Sequence, residues 1–300
     1  MSEQRNLFGQ VLVALVTPMN ADGEVDWAAT EKHIDYVISN GADGVVVTGT
    51  TGETSTLTDK EKLKLVEVGK SVAAGRAKII TGGGSNETAH AMELYKASEK
   101  AGADGVMIVT PYYNKPTQEG IYRHFCFIAE ATDLPIILYN VPGRTGSNMS
   151  AATTLRIANA VPHAVAIKEA SGNLEQSMEI IHGAPAGFDV LSGDDNLTLP
   201  LVACGAHGVI SVSGQAFPKT FSQMVRDARA GRMEAARVGH YAMLRFTQQL
   251  FAEGNPGGIK SALAHLGIIQ PALRLPLWPV SPQLEAALAQ SVRELQQHEL

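Results

Sequence analysis

The sequence lacks the features that mark secreted, membrane-spanning or metal-binding proteins. It contains two cysteines, Cys126 and Cys204, whose apolar surroundings predict small buried side chains rather than a disulfide or a nucleophile. Its nine histidines show neither an HExxH motif nor Cys/His pairs at ligand spacing, so we predict no metal site. The longest early apolar run, residues 11–16, is about a third of a membrane span, and residues 1–10 lack the apolar core of a secretory signal. We therefore expect a cytoplasmic protein that does not bind membranes.

Charge and length narrow the class further. The chain carries 24 basic and 30 acidic side chains, and the resulting formal net charge of -6 offers no broad attraction to phosphate backbones. We predict no nucleic-acid partner. The 300 residues exceed the ~250 residues of one large α/β domain, which leaves room for a smaller appendage.

Eight short runs rich in Val and Ile recur along the chain, separated by stretches long enough for a helix. Several of these stretches, such as residues 28–39, 87–101 and 119–131, have apolar residues at helical spacing. Because the runs are continuously apolar, we expect parallel strands covered on both faces, closed into a (β/α)8 TIM barrel. A doubly wound open sheet is the alternative. The eight runs are residues 11–17, 44–48, 78–82, 105–110, 135–140, 165–169, 189–192 and 208–213.

The C-terminal part of the chain has a different pattern. After about Phe221 no further strand run follows, and three helical stretches are separated by breaks at residues 254–258 and 273–282. We predict an α/β barrel over residues 1–224 and a C-terminal helical domain over residues 225–300.

The loops that follow the predicted strands are polar and rich in glycine. In a barrel of parallel strands all of these loops gather at one end, which is where enzymes of this architecture place their chemistry. We therefore expect the active site at that end. The clearest of these loops are Gly49-Thr-Thr-Gly-Glu53, Gly82-Gly-Gly-Ser-Asn86, Pro111-Tyr-Tyr-Asn114, Val141-Pro-Gly-Arg144, Ala170-Ser-Gly-Asn173 and Gly193-Asp-Asp195.

Lys168 is the most informative residue at that end, because it stands near the end of the sixth predicted strand. An uncharged amine can add to a ketone and form a Schiff base, and burial among apolar residues such as Val165 and Ile167 favours the uncharged form. The structural alternative is a lysine paired with Glu169 or with another carboxylate.

Hydroxyl groups near other strand ends can move the protons that Schiff-base chemistry requires. Tyr139 lies at the end of the fifth predicted strand, and Tyr112 and Tyr113 follow the fourth. The turn after the second strand, with Thr50 and Thr51, offers hydroxyl and backbone N–H groups to a carboxylate. Each feature also has an ordinary structural interpretation, which is aromatic packing for the tyrosines and helix capping for the turn.

Arg144 lies in a short glycine-flanked loop, close in sequence to Tyr139. A guanidinium at this position can hold a second carboxylate through two parallel hydrogen bonds. An ordinary surface arginine is the alternative interpretation.

Four segments together make the chain similar to a known family. The sequence resembles the dihydrodipicolinate synthase family from Val13 to about Val280, with the segments in the family's order on the expected strands. The resemblance is carried by Gly49-Thr-Thr-Gly-Glu53, Thr110-Pro-Tyr-Tyr-Asn-Lys-Pro116, Leu138-Tyr-Asn-Val-Pro-Gly-Arg-Thr-Gly146 and Ile167-Lys-Glu-Ala-Ser-Gly-Asn173.

The resemblance implies a specific reaction and no cofactor other than a covalent Schiff base of pyruvate on Lys168. The enamine formed from it would attack L-aspartate 4-semialdehyde, and the adduct would cyclise to 4-hydroxy-tetrahydrodipicolinate, an intermediate of diaminopimelate and lysine biosynthesis. Tyr139 would act as general acid and base, with Thr50 and Tyr113 as relay partners. In this family the residue matching Tyr113 reaches into a neighbouring subunit, which implies a homotetramer built as a dimer of dimers.

Substrate contacts also follow from the resemblance. Thr51 and the backbone of Ile210 would bind pyruvate, and Arg144 would hold the carboxylate of the semialdehyde. The same barrel serves N-acetylneuraminate lyase and other pyruvate-dependent sugar-acid aldolases and dehydratases, which are the alternative functions. Thr50 and Arg144 favour the semialdehyde, because the sialic acid enzymes typically differ at both positions. A catalytically silent pyruvate-binding barrel is the non-enzyme alternative.

The chain departs from the family pattern at residues associated with feedback inhibition by L-lysine. The pattern's histidines and glutamate are replaced by Asp59, Lys62 and His90, whereas Asn86 and Tyr112 are kept. Because Lys62 adds a cation and His90 replaces an acceptor, we predict weak or absent inhibition by L-lysine. A further departure, Gly257-Gly258, has no explanation in the sequence.

Overall fold

A closed barrel of eight parallel strands forms the centre of the molecule. The computed structural model describes residues 7–298, and within them each strand pairs with the next in sequence while the eighth pairs with the first. This confirms the predicted (β/α)8 TIM barrel and excludes the doubly wound sheet. The strands are β1 (Val11–Ala14), β2 (Gly44–Val47), β3 (Lys78–Gly82), β4 (Gly105–Val109), β5 (Ile136–Asn140), β6 (Ala164–Glu169), β7 (Asp189–Ser192) and β8 (Gly208–Ser211).

Helices cover the outside of the barrel and continue beyond it. Several begin at a polar side chain that caps them; Thr58, for example, forms a reciprocal capping box with Glu61. The helices are α1 (Trp27–Ser39), α2 (Asp59–Ala73), α3 (Thr88–Lys100), α4 (Gln118–Ala129), α5 (Pro142–Thr145), α6 (Ala151–Ala160), α7 (Leu174–Gly183), α8 (Thr198–Ala203), α9 (Pro218–Arg229), α10 (Met233–Phe251), α11 (Gly257–His265) and α12 (Pro282–His298).

Some predicted strands are longer than the observed ones. The first ends at Ala14 rather than at residue 17, because the Val16 N–H bonds to the Gln215 side chain at 3.0 Å instead of to a neighbouring strand. Gln215 also donates to the Ala14 carbonyl at 3.0 Å. Side-chain contacts of this kind, from the far end of the chain, leave no signal in a local apolar pattern.

Successive residues of the strands alternate between two apolar layers, one outside the barrel wall and one inside it. Val45 and Val47 face outward and pack against the surrounding helices, whereas Val46 faces the barrel interior. The interior layer continues into the C-terminal helices, where Leu288 and Val292 of α12 are buried. The predicted boundary between residues 224 and 225 falls within α9, and the division of the chain into two domains stays a prediction.

The cysteines are less buried than predicted. Cys126 is half-buried on α4, and Cys204 is exposed because it follows the last turn of α8 at the surface. Both thiols are free, but the expectation of buried side chains was wrong for Cys204. None of the helices in residues 7–298 is long and apolar enough to cross a membrane.

Candidate active site

Lys168 and Tyr139 lie next to each other inside the barrel. They are paired residues on β6 and β5, and Lys168 Nζ is 4.5 Å from the centre of the Tyr139 ring. The register shifts near the start of β6, where Val165 is an extra residue, and the strands then stay aligned up to this pair. Both side chains are almost fully buried, with 5% and 6% of their surfaces exposed.

The structural alternative for Lys168 is not found. Its neighbour Glu169 accepts hydrogen bonds from Asn140 Nδ2 at 3.1 Å, from the Ser171 N–H at 2.7 Å and from Gln176 Nε2 at 3.2 Å. Glu169 is therefore occupied by partners other than Lys168. The Lys168 amine is buried at a strand end without a role in this network.

A cavity of about 500 Å³ opens at the end of the barrel where the strands finish. Three predicted site residues line it: Thr50, Tyr139 and Arg144. Arg144 is exposed and lies on α5, the short helix that begins at Pro142 directly after β5. The structure therefore brings a buried phenol, a threonine hydroxyl and an exposed guanidinium to the same cavity.

Two residues with left-handed backbone flank the turn after β2. Thr48 has a φ of +56° and Glu53 a φ of +59°, and a β-branched residue such as threonine rarely adopts this region. The Thr48 hydroxyl contacts the Thr81 hydroxyl at 2.8 Å and accepts from the Gly82 N–H at 3.0 Å. A Cβ on Gly82 would lie 2.3 Å from the Thr48 carbonyl oxygen, so glycine is required there. Backbone strain of this kind is concentrated at functional sites.

The C-terminal helices contact the same turn, which the sequence did not predict. Asn255, between α10 and α11, donates from Nδ2 to the Thr51 hydroxyl at 2.9 Å. Lys260 of α11 forms an ion pair with Glu53, and both side chains are fully buried. Burial lowers the pKa of Lys260, and the Glu53 carboxylate opposes this shift. Because these partners are about 200 positions apart, no local motif could have indicated them.

Two carboxylates follow β7 at the same end of the barrel. Burial raises the pKa of Asp194, and the nearby Lys168 charge opposes that shift. Burial also raises the pKa of Asp195, whose carboxylate accepts from the Val212 N–H at 3.0 Å and the Ser213 N–H at 2.7 Å. Asp195 thus fixes the segment that follows β8, the strand in which Ile210 lies fully buried.

Tyr113 is the one exposed residue among the four predicted site residues that do not line the cavity, the other three being the buried Lys168, Thr51 and Ile210. Its side chain is 88% exposed, its φ is +72°, and it does not line the cavity. In the described part of the chain, the hydroxyls of Thr50, Tyr113 and Tyr139 make no hydrogen bond to one another. The relay predicted from the family pattern is therefore not formed within one chain, and it stays a prediction.

Two of the residues predicted to weaken inhibition by L-lysine line this cavity as well. Lys62, His90 and Tyr112 line it, and Lys62 Nζ donates to Asp59 at 3.0 Å. Asn86 accepts a hydrogen bond at its backbone carbonyl from Asn114 Nδ2 at 2.9 Å. Among residues 7–298, no group of three or more His, Cys, Asp and Glu side chains is arranged to hold a metal ion.

Comparison with known proteins identifies the family. The sequence model of the Dihydrodipicolinate synthetase family matches residues 7–295. The chain belongs to this family. A dihydrodipicolinate synthetase relative, the 4-hydroxy-tetrahydrodipicolinate synthase of Parabacteroides distasonis, is 49% identical over 283 residues, which are 94% of this chain and 95% of the relative.

Solved structures of the dihydrodipicolinate synthetase family agree with this assignment. Dihydrodipicolinate synthase from Aquifex aeolicus is 42% identical and superposes with a TM-score of 0.94, covering 96% of this chain and 98% of its own. The chloride-inhibited enzyme of Acinetobacter baumannii in complex with pyruvate is 41% identical, with a TM-score of 0.94 and coverage of 96% and 99%. The family predicted from the sequence is confirmed, as is an enzyme of the lyase class. The sugar-acid and non-enzyme alternatives gain no support.

Proposed function

We propose that this chain condenses pyruvate with L-aspartate 4-semialdehyde to form 4-hydroxy-tetrahydrodipicolinate, a step of diaminopimelate and lysine biosynthesis. Membership of the dihydrodipicolinate synthetase family supports the reaction. The observation that assigns this reaction to particular residues is the position of the buried Lys168 beside Tyr139 at the mouth of the barrel. We place the enzyme in the cytoplasm, where pyruvate is formed.

Lys168 is the residue that holds pyruvate in this proposal. Its amine adds to the ketone carbon, and water leaves as the imine forms. Loss of a proton from the pyruvate methyl group gives an enamine, whose carbon attacks the aldehyde. The amino group of the adduct then attacks the imine carbon, which closes the ring and releases the Lys168 amine.

Tyr139 is positioned to move the protons of these steps. Its ring is 4.5 Å from Lys168 Nζ, so its hydroxyl can reach groups attached to the same carbon. Thr50, which lines the same cavity, is the relay partner that we assign within the chain. The reaction needs neither a metal nor a dissociable cofactor, since the Schiff base itself acts as the electron sink.

The two carboxylates of the substrates are assigned to different parts of the mouth. Thr51 and the backbone of Ile210 bind the carboxylate of pyruvate, next to the strained turn after β2. Arg144, exposed at the edge of the cavity, binds the carboxylate of the semialdehyde. Pyruvate therefore lies deep in the barrel, and the second substrate enters from the solvent side.

Assembly completes the site in this proposal. We propose a homotetramer in which Tyr113 reaches the site of a neighbouring subunit, and its 88% exposure and left-handed backbone support this role. Sedimentation velocity at assay concentration should show the tetramer, and Tyr113→Phe should reduce turnover without dissociating it. A fully active monomer would contradict the proposal.

The test of the function is a coupled assay with both substrates and the downstream NADPH-dependent reductase. We expect turnover that disappears in Lys168→Ala and persists in the control Lys78→Ala, whose lysine is exposed at the opposite end of β3. Borohydride with pyruvate should inactivate the enzyme and label the peptide that contains Lys168. Labelling without turnover would keep the Schiff base and reject the semialdehyde as substrate.

A further inference from the structure

The turn proposed to bind pyruvate is held by α11 and by the two segments that flank it, through three contacts. Asn255 Nδ2 donates to the Thr51 hydroxyl at 2.9 Å. Lys260 pairs with Glu53, two residues further along the same turn. The Arg274 N–H donates to the other Glu53 oxygen at 3.1 Å. The Thr51 and Glu53 side chains of the turn are therefore held from outside the strands of the barrel.

The chemistry of the Asn255 contact fixes the direction of the hydrogen bond. An amide NH₂ group only donates, so the Thr51 oxygen must be the acceptor. A hydroxyl has a single proton, which remains available for a different acceptor. Among residues 7–298 the Thr51 hydroxyl donates to no acceptor, and because Thr51 is almost fully buried, its proton is left for a ligand bound in the barrel.

We infer that Asn255 is a positioning residue for pyruvate, which orients the Thr51 hydroxyl so that its proton points to the carboxylate of the substrate. This inference rests on the proposed function, because it takes Thr51 as a contact of the pyruvate carboxylate. It assigns the C-terminal helices a share in substrate recognition, through a residue that does not itself touch pyruvate.

Asn255 is held firmly enough to act in this way. Lys260, on the first turns of the helix that follows it, is anchored by Glu53 and by the Ala272 carbonyl at 2.7 Å. Before it, the Glu253 carboxylate accepts from the Ser281 N–H at 2.7 Å. The Asn255 Oδ1 atom is buried and has no partner among residues 7–298. The Thr51 hydroxyl is therefore the hydrogen-bond partner of this side chain.

Removal of the amide should weaken pyruvate binding more than turnover. In Asn255→Ala we expect the KM for pyruvate to rise about tenfold and kcat to change less than threefold, since one orienting hydrogen bond to a charged ligand is lost. The KM for the semialdehyde should stay close to the wild-type value. Asn159→Ala, an exposed asparagine on α6, is the matched control and should change neither constant.

Asn255→Asp reverses the polarity of the contact at nearly unchanged size. Its carboxylate accepts the Thr51 proton and adds a negative charge near the pyruvate carboxylate. We expect a larger rise in the KM for pyruvate than in Asn255→Ala, about a hundredfold. Wild-type pyruvate binding in Asn255→Asp would overturn the inference, and this variant also serves if Asn255→Ala does not fold.

A double-mutant cycle separates positioning through Thr51 from a general structural effect. If Asn255 acts through the Thr51 hydroxyl, Asn255→Ala should change the KM for pyruvate little in a Thr51→Val background. Multiplicative effects of the two substitutions would show that Asn255 acts elsewhere and would overturn the inference.

Labelling by borohydride and pyruvate distinguishes this inference from the proposed function. The pyruvate concentration for half-maximal labelling of Lys168 does not depend on the second substrate, and we expect it to rise about tenfold in Asn255→Ala. If wild-type protein is labelled and Asn255→Ala reaches half-maximal labelling at the same pyruvate concentration, the inference fails but the proposed function stands. If wild-type protein is not labelled at all, the proposed function fails and the inference falls with it.

Discussion

Lys168 and Tyr139 face the same side of two adjacent strands, with Lys168 Nζ 4.5 Å from the centre of the Tyr139 ring. Side chains two residues apart on a strand share a face, so Tyr139 points inward with Ile137, and Lys168 with Ala166. The amine that binds a ketone and the phenol that can protonate it therefore reach the same carbon.

Tyr139→Phe should separate these two roles. The substitution keeps the ring beside Lys168 but removes the hydroxyl, so we expect turnover in the coupled assay to fall by about 10²–10⁴-fold, the usual contribution of an acid–base group. Pyruvate should still be trapped on Lys168 by borohydride, although more slowly. Tyr122→Phe, whose ring stacks on Arg156 outside the barrel, is the control and should be fully active. Unchanged turnover in Tyr139→Phe would remove Tyr139 from the mechanism.

Arg144→Ala tests which substrate the exposed guanidinium binds. Loss of a charge-assisted contact should raise the KM for the semialdehyde by about 10- to 100-fold, whereas the KM for pyruvate stays nearly constant. Arg123→Ala, which removes an exposed arginine paired with Glu119, should alter neither value. An equal loss for both substrates would show that Arg144 supports the structure of the mouth rather than one carboxylate.

L-Lysine should inhibit this enzyme weakly, because Lys62 and His90 line the cavity at the positions where the family pattern has lysine-binding groups. Titration of the coupled assay with L-lysine should give no half-inhibition at sub-millimolar concentration. His90→Glu restores an acceptor and should lower the concentration needed, and Lys62→Ala should act in the same direction. Lys64→Ala, on the same helix but over the Trp27 ring, should have no effect. Strong inhibition of the wild type would contradict this prediction.

The sequence contains enough information to predict the barrel and the position of Lys168 and Tyr139 at its functional end. Each strand is a compact apolar run, and Lys168 and Tyr139 are polar residues at strand ends, where a parallel barrel has one functional face. Such patterns are local, so they can be detected without knowing which distant residues meet.

The contacts and backbone conformations that hold the site in place could not be predicted in this way. Asn255 and Thr51 are 204 positions apart, and the interaction depends on how the C-terminal helices pack on the mouth. The left-handed conformation of Thr48 is equally hidden, because threonine gives no sign of it and Gly82 explains it only once the two strands are paired. The exposure of Cys204 was predicted wrongly because neighbouring apolar residues do not indicate where a helix ends.

The structure explains one glycine of the pair that the sequence left without a role. A Cβ on Gly258 would lie 2.4 Å from the Leu250 carbonyl oxygen, so α11 can cross the end of α10 only if this residue is glycine. We expect Gly258→Ala to lower the free energy of unfolding by about 1–3 kcal/mol, since backbone would have to move. Gly257→Ala is the matched control, because its Cβ would meet the Val280 side chain at 3.3 Å and should be tolerated better. Equal urea midpoints for Gly258→Ala and the wild type would contradict this account.

Arg274 and Glu61 tie the C-terminal segment to α2 through two hydrogen bonds, at 2.6 and 3.0 Å. The Arg274 guanidinium lowers the pKa of Glu61 to about 2. A carboxyl whose pKa is lower in the folded state stabilises the fold above its unfolded pKa of ~4.5, and this contribution is lost as the pH falls toward the folded value. Glu61→Gln should therefore reduce stability at pH 7 by about 1 kcal/mol, the upper range for a partly exposed ion pair.

The difference in stability between the wild type and Glu61→Gln should become smaller as the pH falls, which distinguishes an effect of charge from an effect of packing. Urea unfolding of the wild type and Glu61→Gln between pH 7 and pH 3 should give two curves that stay parallel down to about pH 4.5 and then converge, because the unfolded carboxyl begins to take up protons there. Asp59→Asn, which breaks the exposed pair with Lys62, should follow the wild type at every pH. A constant difference between wild type and Glu61→Gln down to pH 3 would mean that the substitution acts through packing and that the Arg274 ion pair contributes nothing.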